Sequence, residues 1–292
     1  MAGWDEADGL RWRALPAFGV EIDQDLGSPF PAAAADRFLA LFHAFGLIVA
    51  RRQALAMERQ IALMELIGPM LRGPDGNSHM SSEAGYATAR AELSFHSDYA
   101  FTDYPIDALS LHAIDVVDNA SSTRFASAER GYALLQPRLR DALEGRGVEM
   151  IMGDFDTVID RACELRDPAA VLSAERPAIL VNPRTGRPCL GVGEMHAARL
   201  IGMDWEEGRD LLREVFACLY APDNVIEHVW QRGDIVIWDN ITYQHARGSL
   251  EGAGRRILQR VAVGPKSLEE LHPAIFSTVG APKAPVTEGI SG

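Results

Sequence analysis

The sequence predicts an α+β fold built around a mainly antiparallel sandwich or jelly roll, and three observations carry that expectation. Helical patterns gather near the start and in a later insert, short apolar strand-like runs fill most of the remainder, and the regular strand-helix alternation of a parallel sheet is missing. With 292 residues, 47% of them hydrophobic and 24% charged, the chain can bury a sizeable core without disulfide or metal staples.

Taken in order, residues 32–46 place Phe38, Leu39, Leu41, Phe42 and Phe45 at helical spacing, and Gly46 supplies a stop before a short apolar strand over residues 47–50. A second helix is expected over 54–66. Residues 68–89 contain Gly73-Pro74-Asp75-Gly76-Asn77-Ser78, whose turn chemistry reads as a long surface loop of the kind that often serves as a lid. Strands are expected over 93–100 and 108–117, helix over 126–143 with a break at Pro137, a strand over 148–152 and a hairpin over 181–190. Residues 206–220 form an amphipathic helix, since Leu211, Leu212, Val215, Phe216 and Leu219 share one face. Strands over 226–230, 235–238 and 256–263 then close one domain, expected to span 1–264. A Pro- and Gly-rich extension over 265–292 follows it.

Composition removes several function classes. A net charge of −13 and a pI near 5.1 oppose counterion-release binding to phosphate backbones, so nucleic acid is not the expected partner. Cys163, Cys189 and Cys218 are odd in number and lack CxxC spacing, which speaks for free thiols in a reducing compartment rather than a disulfide framework or structural zinc. No basic stretch leads into an apolar run at the start, and no run approaches a membrane span. A soluble cytoplasmic protein acting on a small molecule is expected.

The chemistry begins at Ser94-Phe95-His96-Ser97-Asp98-Tyr99. On a strand, residues two apart share a face, so His96 and Asp98 can meet one metal ion from one side. Such a pair arises by chance in about one chain in two of this size, and a surface His beside a solvated Asp is the competing reading. Far along the chain, Gly233 to Asn240 reads as turn, buried strand and turn, and His245 follows. A jelly roll sets late strands beside early ones, so His245 can join the pair; two His and one carboxylate on a triangular face suit non-haem Fe(II) with open positions. An edge strand with solvated arginines is one reading of Arg256-Ile257-Leu258-Gln259-Arg260. The other turns Arg256 and Arg260 into the interior, where an anionic ligand would meet them.

Together these residues resemble the taurine dioxygenase and TfdA-like group of Fe(II)/2-oxoglutarate-dependent dioxygenases. The resemblance runs from about Leu47 to Val263 and is densest in Phe95-His96-Ser97-Asp98, Gly233-Asp234, Trp238-Asp239-Asn240, His245, Arg256 and Arg260. It implies a double-stranded β-helix (jelly roll, cupin-like) core flanked by helices, and Fe(II) with 2-oxoglutarate and dioxygen as co-substrates. It also implies iron ligands His96, Asp98 and His245, and contacts from Arg256 and Thr123 to the distal carboxylate of 2-oxoglutarate. Arg260 falls where related enzymes present an arginine to substrate or co-substrate, and Trp238 would line the site. Two departures stand out: Asn119-Ala120-Ser121-Ser122 replaces the glycines expected before Thr123, and Phe95 stands where a Trp is common.

Substrate contacts are expected from Arg260, Trp238, His79, Glu92, Tyr99 and Arg72, with Arg260 and Arg72 favouring an anionic group. His43, His112, His196, His228 and His272 read as ordinary packing or surface residues. The expected reaction is hydroxylation with release of succinate and carbon dioxide. Desaturation, ring formation or oxidative decarboxylation on the same platform, or a non-catalytic jelly-roll binding protein, are the alternatives, and a dimer or tetramer is the expected assembly.

Overall fold

Alternation of apolar side chains sorts the strands into faces. In the strand Ile235–Asp239, Ile235 and Ile237 pack into one core while Val236 and Trp238 pack into another, and every residue is buried. Leu47–Ala50 behaves identically, with Ile48 and Ala50 on the first side and Leu47 and Val49 on the second. Both strands therefore read as unbroken apolar runs, the pattern of strands covered on two faces.

In the computed structural model, which describes residues 3–83, 92–152 and 172–273, these strands lie inside an eight-stranded sheet. Its order is Asp5–Ala7, Leu10–Ala14, Val20–Ile22, Leu47–Ala50, Ile235–Asp239, Ala108–Val116, Arg256–Val263 and Asn77–Ser81. All neighbours are antiparallel except Val20–Ile22 with Leu47–Ala50. A four-stranded antiparallel sheet, Val225–Val229, Ser122–Ser127, Tyr243–Arg247 and Leu93–His96, contributes Phe125 and Tyr243 to the core shared with the large sheet. The helices Ala32–Phe45 and Met57–Met64 cover the opposite face of the large sheet through Phe38, Phe42, Leu63 and Met64. This is the expected jelly-roll arrangement of two facing sheets with flanking helices.

Glycine is required where the first helix turns into its strand. Gly46 has φ of 65°, and a Cβ there would sit 2.8 Å from the Tyr243 ring. The amphipathic helix Trp205–Leu219 starts at Asp204, whose side chain accepts from the Glu206 and Glu207 N–H groups, and it packs Leu212, Val215 and Leu219 against Leu139, Leu143 and Val148 of the insert.

Several boundaries differ from expectation. The stretch expected as a free loop over 68–89 carries the strand Asn77–Ser81, paired along Arg256–Val263; Met80 is its single large apolar residue, too little for a visible period. Residues 84–89 of that stretch lie outside the described residues. The strand expected over 93–100 stops at His96, and residues 98–100 form a turn in which Tyr99 takes φ of 64°. The helix expected from 126 begins at Ala128, because Ala126 and Ser127 still belong to the strand Ser122–Ser127. The expected hairpin forms from Ile179–Val181 and Pro188–Leu190. Of the expected C-terminal extension, the helix Leu268–Leu271 is capped by Ser267, and residues 274–292 lie outside the described residues, as does Cys163. Cys189 and Cys218 are free thiols. No helix among the described residues is long and apolar enough to cross a membrane.

Candidate metal centre and its cavity

Strand register brings the two histidines together. His245 sits directly across from His96 in the antiparallel pair, and a cross-strand pair of this kind holds its side chains side by side; the ring centroids are 4.2 Å apart. Asp98 reaches them from the turn beyond the strand end, not from the strand itself. Its Oδ1 lies 3.4 Å from His96 Nε2 and 3.6 Å from His245 Nε2. Ligand atoms of these three residues all fall within 4.8 Å of one another, the only such group of His, Cys, Asp or Glu among the described residues.

The turn is held by Asn240. Asp98 N–H donates to Asn240 Oδ1 at 2.9 Å, and Asn240 Nδ2 donates back to the Asp98 and Ile106 carbonyl oxygens, each at 2.9 Å. Arg260 holds the carboxylate itself, with Nη2 2.7 Å from Asp98 Oδ2 and Nη1 2.7 Å from the Asp75 carbonyl oxygen. One carboxylate oxygen is thereby engaged and Oδ1 is turned toward the imidazoles. Burial opposes the Asp98 charge, yet the neighbouring His96 and the positive Arg260 keep its carboxyl well below the ordinary range.

The donor set suits a divalent transition metal. His96 Nδ1 donates to the Ser94 carbonyl oxygen at 2.8 Å, which fixes the tautomer and leaves Nε2 with the lone pair. Burial and the neighbouring His96 push His245 down to about 3, so its ring is neutral and able to ligate at ordinary pH. Two imidazoles and one carboxylate match the donor set of Fe(II) in the open-sided triad.

The three residues line a cavity of about 250 Å³ that lies between the two sheets. Arg256, on the large sheet, lines it and is only 2% exposed; no carboxylate among the described residues pairs with it, and its Nε makes no hydrogen bond. Burial, then the charge of Arg247 nearby, lowers its guanidinium to about 9. A buried cation in that state calls for an anionic ligand. Thr123 lines the same cavity from the small sheet. Its Oγ1 accepts from Trp230 Nε1 at 3.0 Å, so the hydroxyl proton remains for an acceptor in the cavity, and Trp230 also lies 6.0 Å from the Arg256 guanidinium.

Of the remaining expected residues, Trp238, Tyr99 and Arg260 line the cavity, Trp238 packing 4.9 Å from the His245 ring. His79, Glu92 and Arg72 do not line it. His79 pairs with Gln259 on the outer face of its strand, since the inward position belongs to its neighbour Met80. Glu92 is 67% exposed beside Arg124, and Arg72 is 82% exposed beside Glu270. Sequence reasoning also missed most of the wall: Met80, Leu93, Phe101, Met152 and Met195 line the cavity, as do Arg247 and His196. Single apolar residues on separate segments carry no motif. His196 was set aside as packing because no ligand spacing surrounds it.

Comparison with known proteins identifies the family. The sequence profile of the family described as "Taurine catabolism dioxygenase TauD, TfdA family" matches residues 12–262. Pentalenolactone F synthase of Streptomyces arenae is 26% identical over 181 residues, 58% of this chain but only 60% of that protein's length. The alpha-ketoglutarate-dependent 2,4-dichlorophenoxyacetate dioxygenase of Cupriavidus pinatubonensis is 26% identical over 276 residues, covering 84% of this chain and 93% of the relative. Among solved structures, AAD-2 in complex with Mn(II) and N-oxalylglycine superposes with a TM-score of 0.74 at 21% identity, over 88% of this chain and 98% of the other.

Proposed function

The chain belongs to the taurine catabolism dioxygenase TauD, TfdA family of 2-oxoglutarate-dependent non-haem iron dioxygenases, and on that premise we propose that it hydroxylates a C–H bond of a small organic substrate. Its metal ligands are His96, Asp98 and His245, and Arg256 with Thr123 receives the distal carboxylate of 2-oxoglutarate. The observation that supports this most is the convergence, in one cavity, of a two-histidine, one-carboxylate group and a buried guanidinium that pairs with no carboxylate among the described residues. When bound, Fe(II) together with 2-oxoglutarate and dioxygen supplies the oxidising chemistry, with succinate and carbon dioxide as co-products.

The protein contributes position and environment. Arg256 and the Thr123 hydroxyl fix one end of the co-substrate at the cavity floor. Asn240 and Arg260 keep the Asp98 carboxylate presenting Oδ1, so the ligand set is organised before the metal arrives. Leu93, Leu109, Leu111 and Phe101 give the cavity an apolar lining. An anionic substrate, as in the named activity of the 2,4-dichlorophenoxyacetate enzyme, loses both of its expected carriers: Arg72 is on the surface and Arg260 is engaged by Asp98.

Purified protein supplied with Fe(II), 2-oxoglutarate and candidate substrates under labelled dioxygen tests the reading. Succinate should form together with a product one labelled oxygen atom heavier than the substrate. A product two hydrogens lighter, with no label, would replace hydroxylation by desaturation or ring closure. No 2-oxoglutarate turnover under any condition would leave only binding.

A further inference from the structure

His196 stands beside the metal group without belonging to it. Met195 N–H donates to the Phe95 carbonyl oxygen at 3.1 Å, and Ile151 N–H donates to the His196 carbonyl oxygen at 2.8 Å. The turn bearing His196 is therefore fastened both to the strand that carries His96 and to the strand Gly147–Ile151. The ring is wedged edge-on, 5.9 Å from His96 at 89° and 5.1 Å from Phe101 at 66°. Its Nδ1 lies 3.0 Å from the Ile151 carbonyl oxygen. A carbonyl oxygen only accepts, so Nδ1 carries the proton and Nε2 carries the lone pair. Among the described residues, Nε2 makes no hydrogen bond.

We infer that His196 orients the primary substrate: Nε2 accepts a hydrogen bond from an O–H or N–H group of an uncharged, largely apolar molecule and so sets a neighbouring C–H bond at the metal. The inference rests on the proposed metal centre and names the substrate class that the site would take. The apolar part of the cavity lining includes Leu93, Phe101, Met152 and Met195, none of which is a strong acceptor. A substrate donor entering this apolar lining loses water, and Nε2 offers it an acceptor in exchange. A lone pair repels a carboxylate or sulfate. Of the three cavity arginines, Arg260 has its Nη atoms on Asp98 and on the Asp75 carbonyl, while Arg256, with Arg247 nearby, shares the cavity with Thr123 at the proposed co-substrate end.

Two substitutions separate this role from a packing role. His196→Asn puts an amide where Nδ1 stands, keeping a donor for Ile151 and removing the Nε2 acceptor; His196→Gln reaches the Nε2 position with an amide oxygen and gives up the Ile151 bond. The probes are cyclic and medium-chain alcohols and secondary amides, each with its methyl-capped counterpart and the carboxylate of the same carbon skeleton, scored by stimulated succinate release. With the wild-type enzyme, the best donor-bearing probe should be preferred about tenfold or more over its capped form in kcat/KM. The preference should vanish in His196→Asn through a KM increase of about tenfold and persist in His196→Gln. Mn(II) and 2-oxoglutarate titrations should stay alike in all three proteins. Capped or anionic probes equalling the donors, no stimulation by any donor-bearing probe, or an Asn variant with wild-type preference and KM would each overturn the inference. Failure of the wild type to bind Mn(II) and 2-oxoglutarate would instead remove the metal-centre reading beneath it.

Discussion

The two ends of the cavity are built on different rules. At the metal and co-substrate end, His96, His245, Thr123 and Arg256 all stand on paired strands, and Asp98 hangs from a turn pinned by Asn240. Chemistry that needs several donors within hydrogen-bond distance of one point uses strand register, which fixes neighbours to a fraction of an ångström. The apolar remainder of the wall takes Met80 from an edge strand, Leu93 from the ligand strand, Phe101 from the turn region, Met152 from the insert and Met195 from another turn. It needs shape rather than coordination, and several apolar side chains could fill each place. One end is therefore rigid in identity and the other tolerant, and substitutions should fall into those two groups.

The largest effect is expected at the metal. Asp98→Ala should lower substrate-dependent succinate release about a thousandfold or more while thermal melting stays near wild type, because a cavity ligand adds little to a core of this size. Turnover at the wild-type rate with iron would end the assignment of Asp98. Next, Arg256→Ala removes a charge-assisted contact and should weaken 2-oxoglutarate by about 3–5 kcal/mol, a few hundredfold or more, in a calorimetric titration of the Mn(II) protein. An unchanged titration would show that the anion binds elsewhere.

Asn240→Ala should cost about ten- to a hundredfold in metal affinity, since three hydrogen bonds that aim Asp98 and tie it to Ile106 are lost together. A smaller effect comes from pH. Arg256 is charged below about 9 in the free enzyme and an anion favours the charged form, so 2-oxoglutarate affinity should be flat near pH 7–8 and fall as pH rises through about 9, by at most about tenfold per unit. A rise in affinity over that interval would contradict the sign. The smallest effect is expected across the cavity: Met152→Leu should leave Mn(II) and 2-oxoglutarate binding within about twofold, being a volume-conserving change in the tolerant wall. A tenfold loss there would erase the distinction between the two ends.

The same division explains what could be read in advance. His96, Asp98, His245 and Arg256 were legible because ligand chemistry restricts residue type and the strand period of two restricts spacing. Asp98 nonetheless reaches the two histidines from a turn, so the strand period expected to place it is not what does so. The buried strands Leu47–Ala50 and Ile235–Asp239 announced themselves as apolar runs, whereas Asn77–Ser81, polar on all but one position, looked like a loop. His79 fell on the wrong face for that reason. Thr123 was placed by resemblance alone, and its partner Trp230 and the neighbour Arg247 become visible only when the two sheets face each other. His196 has no spacing signal at all, since its neighbours in the cavity come from other segments of the chain.

A crystal structure of the protein with Mn(II) and N-oxalylglycine, read by the anomalous signal of manganese, tests the central claim most directly. One peak should appear, bound by His96 Nε2, an Asp98 carboxylate oxygen and His245 Nε2, with the far carboxylate of N-oxalylglycine against Arg256. A peak away from those three side chains, or a far carboxylate lying against any other residue than Arg256, would contradict it.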